Sequence, residues 1–268
     1  MAELDDAYAI GAYVPGSERY APQWAEQAAA FRDSLGARAR LGVSYGPSKR
    51  MAFDHFSPEG EVKGTFIKGT FIFVHGGYWL KYDSSYWSHL AAGALAHGWA
   101  VAMPSYDLCP TVRIAGITQQ VAQAVMAIAS ETAGPLSLAG HSAGGHLAAR
   151  MLAPGVLPAD VRGRLIHAVP ISPVADLEPL LRTSMNDDFG MDTDMARAES
   201  PVHQPAPDVP VTVWVGGDER PSFLDQAQGL ARAWGCAHAV ISGEHHFNVI
   251  EPLSDPASDL ISRLTTLP

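Results

Sequence analysis

The stretch that most constrains this chain is Leu136-Ser-Leu-Ala-Gly-His-Ser-Ala-Gly-Gly-His-Leu-Ala-Ala-Arg150, which reads as a short apolar strand, one sharp turn and a helix. Ser142 sits at the turn, with Gly140 two residues before it and Gly144 two residues after. Glycines at those positions let strand and helix approach closely while the serine takes a strained backbone conformation. Such a turn lifts the serine hydroxyl above the sheet edge. The helix N-terminus beyond it offers the Ala143 N–H to a developing negative charge.

The rest of the chain reads as alternating strands and helices. Apolar residues Tyr20, Trp24, Ala28 and Phe31 recur at spacings of three and four, which predicts an amphipathic helix from Ser17 to Gly36, suited to core packing or to dimerisation. Leu41 to Tyr45 and Arg50 to Phe56 read as strands around the turn Gly46-Pro47-Ser48. The pentapeptide Lys63-Gly-Thr-Phe-Ile67 is repeated at once as Lys68-Gly-Thr-Phe-Ile72, which reads as either a recent duplication or an artefact of the sequence record. An odd repeat length would turn Phe66 and Phe71 to opposite faces of one continuous strand, and only the second copy is placed to feed the loop that follows.

Phe71 to Val74, Ala100 to Pro104, Pro135 to Ala139, Leu165 to Ile171, Val211 to Val215 and Ala237 to Ile241 read as further strands. Between them lie predicted helices at Ser85 to His97, Ile117 to Thr132, the start of Pro173 to Thr183, and Phe223 to Trp234, with Asn248 to Leu267 mainly helical. This alternation predicts one α/β domain over residues 1–268, a mostly parallel central sheet with helices on both faces. The polar, proline-interrupted segment 186–210 is read as either a small cap over the site or a surface excursion.

Three loops complete a chemical set. Val74 runs into His75-Gly76-Gly77-Tyr78-Trp79, where glycines can leave main-chain N–H groups facing a pocket. Val211 to Val215 runs into Gly216-Gly217-Asp218-Glu219-Arg220-Pro221, and the last strand into Gly243-Glu244-His245-His246-Phe247. A serine needs a histidine base and a carboxylate to orient that base, and these loops supply them in the chain order serine, acid, histidine. At the second loop both Asp218 and Glu219 are candidates. His89 and His97 fall on a helix, and His146, one turn beyond Ser142, reads as packing.

Taken together, His75-Gly-Gly-Tyr-Trp79, Gly140-His-Ser-Ala-Gly144 and His246-Phe247, with Tyr106-Asp-Leu-Cys-Pro110, Pro179-Leu-Leu-Arg-Thr-Ser184 and Ser200-Pro201, resemble the arylformamidase (kynurenine formamidase) branch of the α/β-hydrolases, close to the hormone-sensitive-lipase-like esterases. The resemblance runs from about Phe71 to Pro252, and the first 60 residues add little to it. It implies Ser142 as nucleophile, His246 as base, and Gly76, Gly77 and Ala143 as the oxyanion hole. The family pattern at the acid turn, glycine, two residues, acid, residue, proline, implies Glu219 over Asp218. Tyr78, Trp79 and Tyr82 are the expected pocket residues, while Trp87 reads as core packing. The implied reaction removes a formyl group from an aryl amide such as N-formylkynurenine. A carboxylesterase or thioesterase with the same triad is the neighbouring reading, and a non-catalytic binding protein of this fold a more distant one.

Composition excludes other classes. With 28 Asp+Glu against 18 Lys+Arg the net charge is −10, so nucleic acid is not an expected partner. Two cysteines outside any Cys-x-x-Cys spacing fit a reducing compartment, and no apolar run reaches membrane-spanning length, so a cytoplasmic protein is expected. The chemistry calls for no metal or organic cofactor, and for a small acyl compound as partner. The oligomeric state is left open.

Overall fold

The computed structural model describes residues 2–60 and 67–267. Eight strands form one sheet: β1 (Ala39–Ser44), β2 (Ala52–Phe56), β3 (Thr70–Val74), β4 (Ala100–Pro104), β5 (Leu136–His141), β6 (Leu165–Ile171), β7 (Thr212–Gly216) and β8 (Ala237–Ile241). Their order is β1-β2-β4-β3-β5-β6-β7-β8. The β1/β2 and β2/β4 pairs are antiparallel and all others parallel. Strands buried on both faces carry unbroken apolar runs, and β3 shows why. Ile72 and Val74 enter one core while Phe71 and Phe73 enter the other.

Helices α1 (Tyr20–Leu35), α2 (Ala92–Ala96), α3 (Ile114–Glu131), α4 (Ala143–Arg150), α5 (Ala159–Arg162), α6 (Asn186–Phe189), α7 (Thr193–Glu199), α8 (Pro221–Trp234) and α9 (Asp259–Thr265) cover the sheet. α3, α4 and α8 share a core with Ile72 and Val213, whereas α1, α2 and α9 pack with Phe71, Phe73 and Trp214 on the opposite face.

Three expected helices are shorter than their sequence pattern. Residues 84–91 form two 3₁₀ turns before α2, the first capped by the Asp83 carboxylate on the Ser85 N–H. Serines 84, 85 and 88 offer local hydrogen bonds that compete with an α-helical start. Only Glu178–Arg182 of 173–183 is helical, as a 3₁₀ turn between Pro173 and Thr183. The C-terminal stretch is a 3₁₀ turn at Glu251–Ser254 and then α9, separated around Pro256, which cannot donate to a helix. Most of the first Lys-Gly-Thr-Phe-Ile copy lies outside the described residues; the second feeds β3 at Thr70.

Candidate active site

β5 ends at His141, and Ser142 follows with φ 58° and ψ −117° before α4 begins at Ala143. The flanking glycines are required by contact as well as conformation. A Cβ at Gly140 would lie 2.1 Å from the Gly144 carbonyl oxygen, and one at Gly144 would lie 2.0 Å from that of Val74. Strand, turn and helix therefore cross at a distance that only hydrogen atoms fit. The left-handed backbone at Ser142 is held by its N–H donating to Ile171 O at 2.8 Å and its carbonyl accepting from His146 N at 3.0 Å.

Beside this turn runs the loop after β3. A Cβ at Gly76 would lie 3.1 Å from Ser142 Cβ, so the Gly76 main chain abuts the serine. Ala143, as the first residue of α4, has an N–H with no intrahelical acceptor. His75 anchors the loop from beneath. Its Nδ1–H donates to Gly76 O at 2.8 Å, its ring stacks on Tyr106 at 4.3 Å, and the Tyr106 hydroxyl donates to His75 O at 2.8 Å. Burial lowers the His75 pKa to about 4, so the imidazole is neutral.

The acid turn after β7 and the loop after β8 meet at a second contact. His246 Nδ1–H donates to Glu219 Oε2 at 2.5 Å. Glu219 Oε1 accepts from the Ser172 hydroxyl and from Gly216 N, the latter at 2.9 Å. Burial alone would raise the Glu219 pKa, but the adjacent His246 charge and these hydrogen bonds outweigh it and hold the carboxyl below its ordinary value. Asp218 is exposed and has only its N–H engaged, to Glu244 O at 2.9 Å. Geometry thus brings Glu219 to His246 and leaves Asp218 outside. The neighbouring His245 belongs elsewhere, with its Nε2 paired to the Tyr20 hydroxyl at 3.1 Å.

Ser142, His246, Gly76 and Gly77 line a single cavity of about 370 Å³. Tyr78 and Tyr82, expected from the sequence as pocket residues, line it too. Trp79 does not. Tyr78 and Trp79 both take positive φ, 53° and 57°, and the turn sends Tyr78 to the cavity and Trp79 into the core. There Trp79 is fully buried and meets His146 and Phe189 edge-on at 5.1 and 5.6 Å. Trp87, read from sequence as core packing, reaches the cavity wall beside Trp24, 4.6 Å away, with Tyr82 and Phe247 completing an aromatic surface.

The N-terminal segment, uninformative in sequence, supplies a further part of the wall. Tyr8, Ala9, Ile10 and Gly11 line the cavity. This strap is tied down by Tyr78 Oη–H donating to Tyr8 O at 2.8 Å, by Gln226 Nε2 to Tyr8 Oη at 3.0 Å, and by Arg220 paired with Asp6 at 2.9 Å. Ser172 was equally illegible, since nothing in its local sequence marks it as a partner of Glu219. Within 186–210 no described residue lines the cavity; Phe189 instead supports Trp79, and Met185 just before the segment reaches the wall.

Fold and site define a class. Residues 71–234 match the alpha/beta hydrolase fold family, and the chain belongs to that family; it is a hydrolase. Its relatives include the kynurenine formamidases of Danio rerio, 27% identical over 228 residues (80% of this chain, 77% of that protein), and of Drosophila melanogaster, 28% identical over 240 residues (81% and 78%). A solved structure of a candidate thioesterase from Silicibacter sp. is 60% identical with a TM-score of 0.96, covering 99% of this chain and 100% of that one. Esterase B from Lactobacillus rhamnosis, 18% identical with a TM-score of 0.61 over 87% of each chain, shares the fold. No described helix is long and apolar enough to cross a membrane.

Proposed function

We propose that this protein is a serine hydrolase that removes a small acyl group, formyl, from an aryl amide such as N-formylkynurenine through an acyl-enzyme. The observation that carries the reading is the convergence of Ser142 and the Glu219–His246 pair, 2.5 Å between Nδ1 and Oε2, on one cavity with an aromatic wall. Glu219 fixes the His246 tautomer so that Nε2 is the free base. His246 takes the Ser142 proton as Oγ attacks the carbonyl carbon, and Glu219 stabilises the imidazolium that forms. The N–H groups of Gly76, Gly77 and Ala143 receive the oxyanion. His246 then gives its proton to the departing aryl amine, deprotonates a water, and that water releases formate from Ser142.

Trp24, Tyr82, Trp87 and Phe247 give the leaving group a surface on which to stack. The likeness to kynurenine formamidases supports the formamide over other acyl compounds. A second reading, an esterase or thioesterase with the same machinery, is favoured by the 60% identity to the candidate thioesterase, because fold and triad do not fix the substrate. The test is kcat/KM for N-formylkynurenine beside short aryl esters and an acyl thioester, each repeated with Ser142→Ala. The proposal expects the formamide to exceed the others and all turnover to collapse in the variant. Thioester or ester turnover without formamide turnover selects the second reading.

A further inference from the structure

Among the described residues the His246 ring makes one hydrogen bond, from Nδ1 to Glu219. A single bond fixes one atom of an imidazole and leaves the ring free to swing about it. For a group that must meet a reacting atom, a displacement of about 1 Å costs about 10²-fold in rate. Packing is what limits the swing. Two rings meet that of His246 closely: Phe223, in the first turn of α8, at 4.4 Å between centroids, and His141, the last residue of β5, at 4.6 Å, with interplanar angles of 54° and 44°. Both are buried, and both stand on regular elements of the scaffold rather than on loops.

His141 sits where three parts of the site meet. It directly precedes Ser142 and lines the cavity. A Cβ at Gly76 would lie 2.8 Å from its carbonyl oxygen and 3.3 Å from its Nδ1, so the side chain closes against the main chain of the loop after β3. Its Nε2 is buried with no hydrogen-bond partner, and a proton placed there would bury a charge that no acceptor meets. Burial first, and the charge of His246 second, hold its pKa well below the ordinary histidine value. The ring is therefore neutral, and too weak a base to take the serine proton itself.

We propose that His141 is a positioning residue for His246: its ring, with that of Phe223, restricts the swing of the His246 imidazole about the Glu219 bond, so that Nε2 is held for the Ser142 hydroxyl and then for the leaving group. This rests on the serine hydrolase reading above and adds a residue to the machinery of the same site. His141 acts through its packing and exchanges no proton. Its loss therefore weakens proton delivery by His246, and most for leaving groups that cannot depart without a proton.

The test compares p-nitrophenyl acetate, whose leaving group departs as a stable anion, with benzyl acetate and formanilide, whose leaving groups need a proton. In His141→Ala, kcat for benzyl acetate is expected to fall by about 10²-fold with KM within about threefold, and the p-nitrophenyl to benzyl ratio of kcat/KM to rise by about tenfold. That ratio does not depend on how much of the variant is folded. His141→Phe keeps a ring against His246 and is expected to hold the wild-type ratio, whereas His141→Asn keeps a polar atom without the ring and should behave as His141→Ala. An unchanged ratio in His141→Ala, or a rise in KM alone, overturns the proposal, the latter by making His141 only a wall of the cavity. A ratio kept by His141→Asn and lost in His141→Phe also overturns it, in favour of a polar contact. The readings beneath it fail separately. Absence of formanilide turnover removes the formamidase reading while the two esters still report on His141, and ester turnover that survives in Ser142→Ala removes the serine hydrolase reading.

Discussion

His246 Nδ1 and Glu219 Oε2 lie 2.5 Å apart, with the Glu219 side chain fully withdrawn from solvent. The carboxylate has no freedom to serve another group, because its second oxygen is held by Ser172 and Gly216 N. In the proposed mechanism it positions one imidazole and stabilises its charge.

Replacing it therefore has a definite signature. Glu219→Gln presents an amide that can donate to Nδ1 and favours the wrong tautomer, so kcat is expected to fall by about 10³–10⁴-fold. Asp218→Asn alters an exposed side chain and should change kcat/KM by less than about threefold. The two variants compared on one ester substrate give the answer. A large loss for Asp218→Asn with near-normal Glu219→Gln reverses the assignment.

Stability should fall steeply on mild acidification. Burial lowers His75 and His146 to about 4 from an ordinary 6.5, so between those values the unfolded chain binds protons that the folded chain refuses. Each contributes a loss of up to about 1.4 kcal/mol per pH unit as pH drops from 6.5 toward 4. Glu219 adds in the same direction at lower pH. Its folded pKa is depressed, so its contribution is present above the ordinary carboxyl value and is lost as pH falls through the folded one. Urea unfolding at a series of pH values is expected to show this slope, reduced in His146→Gln, whose ring otherwise donates to Glu199 O at 2.8 Å.

The strap is expected to set substrate size. Tyr8→Ala removes an aromatic side chain from the cavity wall and its Gln226 contact. The kcat/KM ratio between a naphthyl ester and a phenyl ester should shift toward the larger by about tenfold. An unchanged ratio would mean that Tyr8 does not bound the productive pose.

Much of this architecture is legible in the sequence because it is enforced by contact. Gly140 and Gly144 stand where a Cβ would strike a carbonyl oxygen, and β3, β4 and β7 carry mostly apolar, fully buried runs because both faces are covered. Glu219 could be preferred to Asp218 only through a family pattern, since both are acids in the same turn. Pattern fails where long-range packing decides. Nothing local marks Tyr8 as a wall of the cavity that Ser142 lines, and nothing in Tyr78-Trp79 shows that two successive positive φ values send one residue to the cavity and the other into the core. The helices overextended in the sequence reading are those crossed by serines or prolines, where local hydrogen bonding and a missing N–H outweigh apolar periodicity.

The central claim, that Ser142 is acylated during turnover, is tested most directly by rapid-quench reaction with p-nitrophenyl acetate followed by peptide mapping. The account predicts a burst of nitrophenol close to one per protein chain, with the acetyl group on the peptide containing Ser142. It also predicts that burst and label both disappear in Ser142→Ala. A burst that persists in that variant, or a label that maps to another residue, would contradict it.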